Sequence, residues 1–188
     1  MTAPHNSTDR VPSPEQPSLR LFFALWPDQE TRTALAALQS RVPGRRIRPG
    51  NLHVTLAFLG MQPAALLPTL RAILASLPPP DFLLEVDRIG YFARRRIAWA
   101  GTHRAPDALS ALHRDLVRAL LQEGIAFDQR SSFVPHITLA RDAAAPPDLP
   151  FGPIRWRVGQ VALVQSSTTA EGAAYRVLAA SGAAQGQA

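Results

Sequence analysis

Apolar residues run unbroken through Leu21–Leu25 in the segment LRLFFALW, which predicts a buried strand over 19–26. Pro27-Asp28 then opens a helix to about Val42, with Leu35, Leu38 and Val42 at helical spacing. PGRRIRPG reads as a loop or short edge strand. Asn51–Gly60, NLHVTLAFLG, is the next strand, and a second helix covers about 63–77, delayed or kinked by Pro68 and stopped by three prolines at 78–80. FLLEVDRIGY predicts one strand over 82–91 and the segment after ARRR another over 97–102. The clearest helix is 105–123, with Pro106 in its first turn and Gly124 just past its end. Leu109, Leu112, Leu116, Leu120 and Leu121 form its apolar stripe, and Arg114 and Arg118 face out. A strand around His136 comes next, then a proline-rich loop, then two strands over 154–165 and 173–180.

The order repeats itself. A strand, a helix and then the pattern H-[VI]-T-L-A occur in each half, with the two histidines 83 positions apart (136 − 53). The expectation is an α+β fold of two pseudo-symmetric lobes. Each lobe is a mostly antiparallel sheet with helices on the outside, and a cleft between the lobes receives both motif strands. Residues 19–180 form this single bilobal domain, between a disordered tail over 1–18 and a flexible one over 181–188, both polar and rich in small residues or proline.

In a strand, residues i and i+2 share a face. His53 and Thr55 therefore stand side by side, as do His136 and Thr138, while Val54, Leu56, Ile137 and Leu139 point into a core. The exposed set suits phosphate esters. One imidazole can be neutral while another is protonated near pH 7, so a pair across a cleft can act as general base and general acid. Each threonine hydroxyl can donate to a non-bridging phosphoryl oxygen. Two imidazoles without a carboxylate in either motif make a poor metal set, so neither metal nor other cofactor is expected. One H-x-T would carry little weight in a chain with five histidines, but two in equivalent places are hard to obtain by accident. His5, His103 and His113 lack the pattern and receive no catalytic role.

Composition narrows the chemistry. All 20 basic residues are arginine, the net charge is +6, and there is no cysteine. Disulfides, thiolate zinc sites, a cysteine nucleophile, lysine Schiff bases and a P-loop lysine are excluded. Any phosphate must be held by arginine, backbone N–H, hydroxyl or histidine, and the basic balance favours an anionic partner such as RNA. No apolar run approaches a membrane span and the N-terminus lacks a secretory h-region, so a cytoplasmic protein is expected, without membrane contact. With no heptad seam, a monomer without an obligate protein partner is expected.

With these residues in view, the chain resembles the two-histidine (2H) phosphoesterase superfamily, and within it the bacterial and archaeal RNA 2',3'-cyclic phosphodiesterases, also called 2'-5' RNA ligases. The resemblance spans nearly all of 19–180 and is carried by LRLFFAL, NLHVTLAFLG, PHITLARD, and QVALVQSS followed by Tyr175. It implies hydrolysis of RNA or nucleotides with 2',3'-cyclic phosphate ends to 2'-phosphomonoesters. His136 would be the proton acceptor and His53 the proton donor, an assignment the near-symmetric motifs do not supply. Thr55 and Thr138 would hold phosphoryl oxygens. It also implies a phosphate contact from Arg141, which strand parity opposes unless the strand ends or bulges after Leu139; the alternative is a surface pair with Asp142. Arg130 is a further phosphate-binding candidate. Phe23, Tyr91, Phe92 and Trp99 are available to stack on a base, and each also suits a core. The arginine-dense GRRIR and ARRRI could track an RNA backbone or be ordinary solvated loops. Three alternatives stay open: cleavage of 2'-5' linkages or small cyclic nucleotides, or 2'-5' ligation, by the same histidines; a non-catalytic RNA-binding module; and a metallohydrolase, which retained activity in EDTA would dispose of.

Overall fold

The computed structural model describes residues 17–129, 132–170 and 172–181. Among the described residues ten strands and three α-helices alternate, and the main sheet is antiparallel throughout. β1 (Ser18–Leu25), β3 (Val54–Pro63), β9 (Val161–Thr169) and β10 (Gly172–Ser181) form one half of it. β5 (Arg88–Phe92), β6 (Ile97–Gly101), β7 (His136–Arg141) and the two-residue β2 (Arg45–Arg46) form the other. The motif strands β3 and β7 meet at the seam, through the pair Val54 and Ile137. The two lobes thus share one eight-stranded sheet that barely joins at its middle.

Helices α1 (Gln29–Gln39), α2 (Leu67–Ser76) and α3 (Asp107–Gln122) carry the apolar residues that cover one face of the sheet. Asp28 caps α1, its carboxylate accepting from Thr31 N at 2.7 Å. Pro68 tolerates only the first turn of a helix, so Ala64–Leu66 form a 3₁₀ turn before α2 begins. On α3, Leu109, Leu112, Leu116 and Leu120 are buried as expected, but Leu121 is 56% exposed. At 3.6 residues per turn it lies about 120° around the axis from Leu109, outside the stripe.

Two expected strands divide. The 82–91 segment becomes β4 (Phe82–Val86) and β5, separated at Asp87, and 154–165 becomes β8 (Ile154–Val158) and β9. The first halves of both leave the main sheet and pair with each other, from Phe82 opposite Val158 to Val86 opposite Ile154. The alternation runs straight through Asp87, so nothing local marks the break. Tertiary partners do: Asp87 N donates to Gly101 O at 3.0 Å and its carboxylate accepts from His103 N at 2.8 Å. β1 already includes Ser18 and β10 runs through Ser181, one residue past each expected domain limit. The tails over 1–16 and 182–188 lie outside the described residues.

Candidate active site

The sheet face away from the helices carries both motifs. Val54, Leu56, Ile137 and Leu139 are buried in the core, which turns His53, Thr55, His136 and Thr138 to the other side. The same backbone device sets both rings. His53 Nδ1 lies 2.6 Å from Asn51 O, and His136 Nδ1 lies 2.8 Å from Val134 O. A carbonyl only accepts, so each Nδ1 carries the proton and each neutral ring leaves Nε2 as its basic nitrogen. On His53 that nitrogen is 3.1 Å from Thr55 Oγ1, which donates to it. Asn51 is itself tied down, its Nδ2 donating to Ala173 O on β10 at 2.9 Å.

Aromatic rings fix the imidazoles further. His53 stacks on Trp26 (5.6 Å between centroids, 19° between planes) and touches Phe22 and Tyr175 at 5.0 and 5.4 Å. His136 meets Phe92 edge-on at 5.1 Å and Trp99 at 6.2 Å. Phe22 and Trp26 were not singled out from the sequence. The signal was the Phe22-Phe23 pair, since alternation sends only one of the two into the helix-covered core; Phe23 is that one, fully buried.

Each motif strand bulges at its leucine. Thr55 and Ala57 pair with consecutive residues of β1, leaving Leu56 extra; Thr138 and Ala140 do the same against β6, leaving Leu139 extra. A bulge reverses the parity of the residues beyond it. The residues five past each histidine, Phe58 and Arg141, therefore return to the histidine face. Phe58 packs beside the Phe22 cluster and lines the cleft. Arg141 is exposed, and its charge is felt by both imidazoles. Its neighbour Asp142 pairs with Arg45 at 3.0 Å, not with Arg141. Arg130 lies outside the described residues.

Burial sets the electrostatics. It is the largest influence on His53, whose pKa is lowered to about 4, with the charges of His136 and Arg141 acting in the same direction against the Asn51 hydrogen bond. His136 is also lowered, first by burial and then by Arg95 and Arg141, against the hydrogen bond to Val134. Both rings are neutral at pH 7 in the free protein. Beside His136 and Thr55 opens a cavity of about 850 Å³, lined also by Phe58, Tyr91, Phe92 and Phe133, with Arg94 and Arg95 at its wall. His113, set aside on sequence grounds, also reaches this wall, stacked on Phe133 with centroids 3.9 Å apart. Its position on α3 gave no sign of this, because the loop that presents Phe133 is distant in sequence. Among the described residues no three His, Cys, Asp or Glu side chains converge to hold a metal ion. No described helix is long and apolar enough to cross a membrane.

Residues 26–170 match the family described as the 2'-5' RNA ligase superfamily. An RNA 2',3'-cyclic phosphodiesterase of Thermus thermophilus is 34% identical over 85% of this chain and 88% of its own. One of Escherichia coli is 32% identical over 73% of this chain and 80% of its own. The crystal structure of E. coli LigT complexed with 3'-AMP superposes with a TM-score of 0.77 at 30% identity, covering 90% of this chain and all of that one (100%). Two bulged H-x-T strands at the seam of a bilobal sheet, and a sequence match that spans both, place this chain in the 2'-5' RNA ligase superfamily.

Proposed function

We propose that the protein opens RNA 2',3'-cyclic phosphate ends by water, giving a 2'-phosphomonoester and a free 3'-hydroxyl. The observation that carries the reading is the matched pair of imidazoles, each with Nδ1 held by the carbonyl two residues before it and Nε2 left for chemistry. His136 Nε2 takes a proton from water as its oxygen bonds to phosphorus. The P–O3' bond breaks, and His53 Nε2–H gives its proton to the departing O3'. Thr55 and Thr138 donate to the non-bridging oxygens, and Arg141 faces the charge that develops there. The acid and base roles come from the resemblance of the motifs to the 2H phosphoesterases. The relatives' names, which specify RNA 2',3'-cyclic phosphodiesterases, support the reaction. Burial is the main force against a proton on His53, with His136 and Arg141 adding to it; the substrate's negative charge acts the other way and favours the protonated ring. No metal takes part in this scheme, and the protein acts as a cytoplasmic monomer.

The test is turnover of a short RNA ending in a 2',3'-cyclic phosphate, in EDTA, with the product isomer identified. Wild type should yield the 2'-phosphate. His53→Ala and His136→Ala should each lose about 10²–10⁴-fold in kcat, the range of one general acid or base. A 3'-phosphate product would reverse the substrate in the site. Loss of activity in EDTA, or a variant with unimpaired turnover, would overturn the two-histidine mechanism.

A further inference from the structure

Two arginine-rich segments that are distant in sequence, Arg45–Arg46 and Arg94–Arg96, come together at the C-terminal end of β7. Arg45 is the ladder partner of Arg141, so both side chains project from the same face, the histidine face. Arg45 Nε also bonds Asp142, whose own backbone carbonyl receives Arg96 at 3.4 Å. Ala143 N donates to Arg96 O at 2.9 Å, which ties the turn after β5 to the end of β7. Close approach makes this possible. Gly44 sits at φ +109°, and a Cβ there would come within 2.8 Å of Ala143 Cα. Arg94 and Arg95 continue the group onto the cavity wall, and Arg95 is near enough to bear on His136.

Some surface arginines are already neutralised by an acid. Arg118, Arg155 and Arg157 each have a carboxylate partner, Asp115, Glu85 and Asp81. Among the described residues Arg94, Arg95 and Arg141 have none, and Asp142 is the one acid that pairs within the group. Arg45 and Asp142 are 64% and 65% exposed, so a phosphate can replace the carboxylate at little cost. Five arginines gathered at the end of β7 and along an aromatic-lined cavity fit single-stranded RNA, whose backbone is held by arginine and whose bases stack.

We infer that Arg45, Arg94, Arg95, Arg96 and Arg141 form a track for the phosphodiester backbone of a single-stranded RNA, 5' to the reacting end, so that the substrate is an oligonucleotide and not a mononucleotide. The place of the reacting end rests on the phosphodiesterase reading; the track itself does not. Arg46 is the internal control. It comes directly after Arg45 in the strand, points to the opposite face, and donates to Ser40 O.

Two measurements test the track. The first compares kcat/KM for a 2',3'-cyclic mononucleotide and for a six-nucleotide RNA with the same end. The second monitors the anisotropy of a labelled single-stranded RNA over a salt series. Wild type should prefer the oligonucleotide. Arg45→Ala and Arg45→Gln should each cut that preference roughly fivefold and lower the salt slope of binding by about 0.7, the release expected for one phosphate of a single strand. Arg46→Ala should change neither. Equal use of both substrates, or equal effects of the Arg45 and Arg46 variants, would overturn the track and leave the hydrolase reading standing. Salt-dependent RNA binding that needs Arg45, without turnover of either substrate, would support the track and overturn the hydrolase reading. Binding of poly-glutamate in preference to RNA would assign the patch to an acidic protein instead.

Discussion

Each motif imidazole donates an Nδ1–H hydrogen bond to a carbonyl two residues upstream, so the backbone decides that Nε2 is the basic nitrogen. Protonation is then set by surroundings. In the free protein His53 is lowered to about 4 by burial and by neighbouring positive charge, and His136 is lowered in the same way. A bound cyclic phosphate brings a negative charge that raises both. The profile of kcat/KM reports the free protein and that of kcat the complex. The optimum of kcat/KM should therefore fall below pH 6.5, and the kcat profile should lie at higher pH. Superimposable profiles would show that the phosphate does not contact these rings. The histidines and threonines were readable from the sequence because a polar pair on an otherwise apolar strand has few structural reasons to exist. Arg141 was not settled there, since parity alone sends it to the wrong face.

At the scale of elements the paired bulges decide the site. Leu56 and Leu139 each add one residue to the motif strand, and Phe58 and Arg141 return to the histidine face as a result. The bulges make the two halves alike in backbone and unlike in side chain, one presenting a ring and the other a charge. Neighbouring strands complete the support. Gly90 on β5 faces Trp99 on β6, and a Cβ built there would clash with the six-membered ring of the indole. Gly90→Ala should destabilise the fold by about 1–3 kcal/mol through overpacking. It should also lower turnover by moving Trp99 from His136, measurable as a lower urea midpoint together with a lower kcat. An unchanged midpoint would mean the strand pair yields without strain. The division of the 82–91 and 154–165 segments into separate sheets was not legible, because both halves of each alternate correctly and only long-range partners distinguish them.

For the whole molecule, burying a neutral imidazole links folding to pH. His53 has an unfolded value of 6.5 and a folded value of about 4, so between those values the unfolded chain binds a proton that the folded chain refuses. Stability is fully present above pH 6.5 and falls as pH drops through the window, by at most about 3 kcal/mol at 1.36 kcal/mol per unit. Urea unfolding at about pH 7.5 and about pH 5.0, on either side of the unfolded value, measures the fall, and His53→Gln should reduce the slope. A slope unaltered by that substitution would assign the pH dependence to other groups. The joining of the lobes through Val54 and Ile137 explains why the two motif histidines sit where the sheet is least continuous: a cleft needs a place where neighbouring strands part.

The period of each strand and helix, the repeat that makes two lobes, and the four polar residues repeated on the motif strands could all be read along the chain. These are local, because periodicity and residue chemistry are written within a few positions. Features that depend on neighbours far along the chain emerged from packing. Extra residues opposite β1 and β6 brought Phe58 and Arg141 to the histidine face, and folding brought His113 to the cavity wall and Arg45 to Arg141. Burial among Phe22, Trp26 and Tyr175 drew the His53 proton affinity down, a property set by desolvation and therefore by packing.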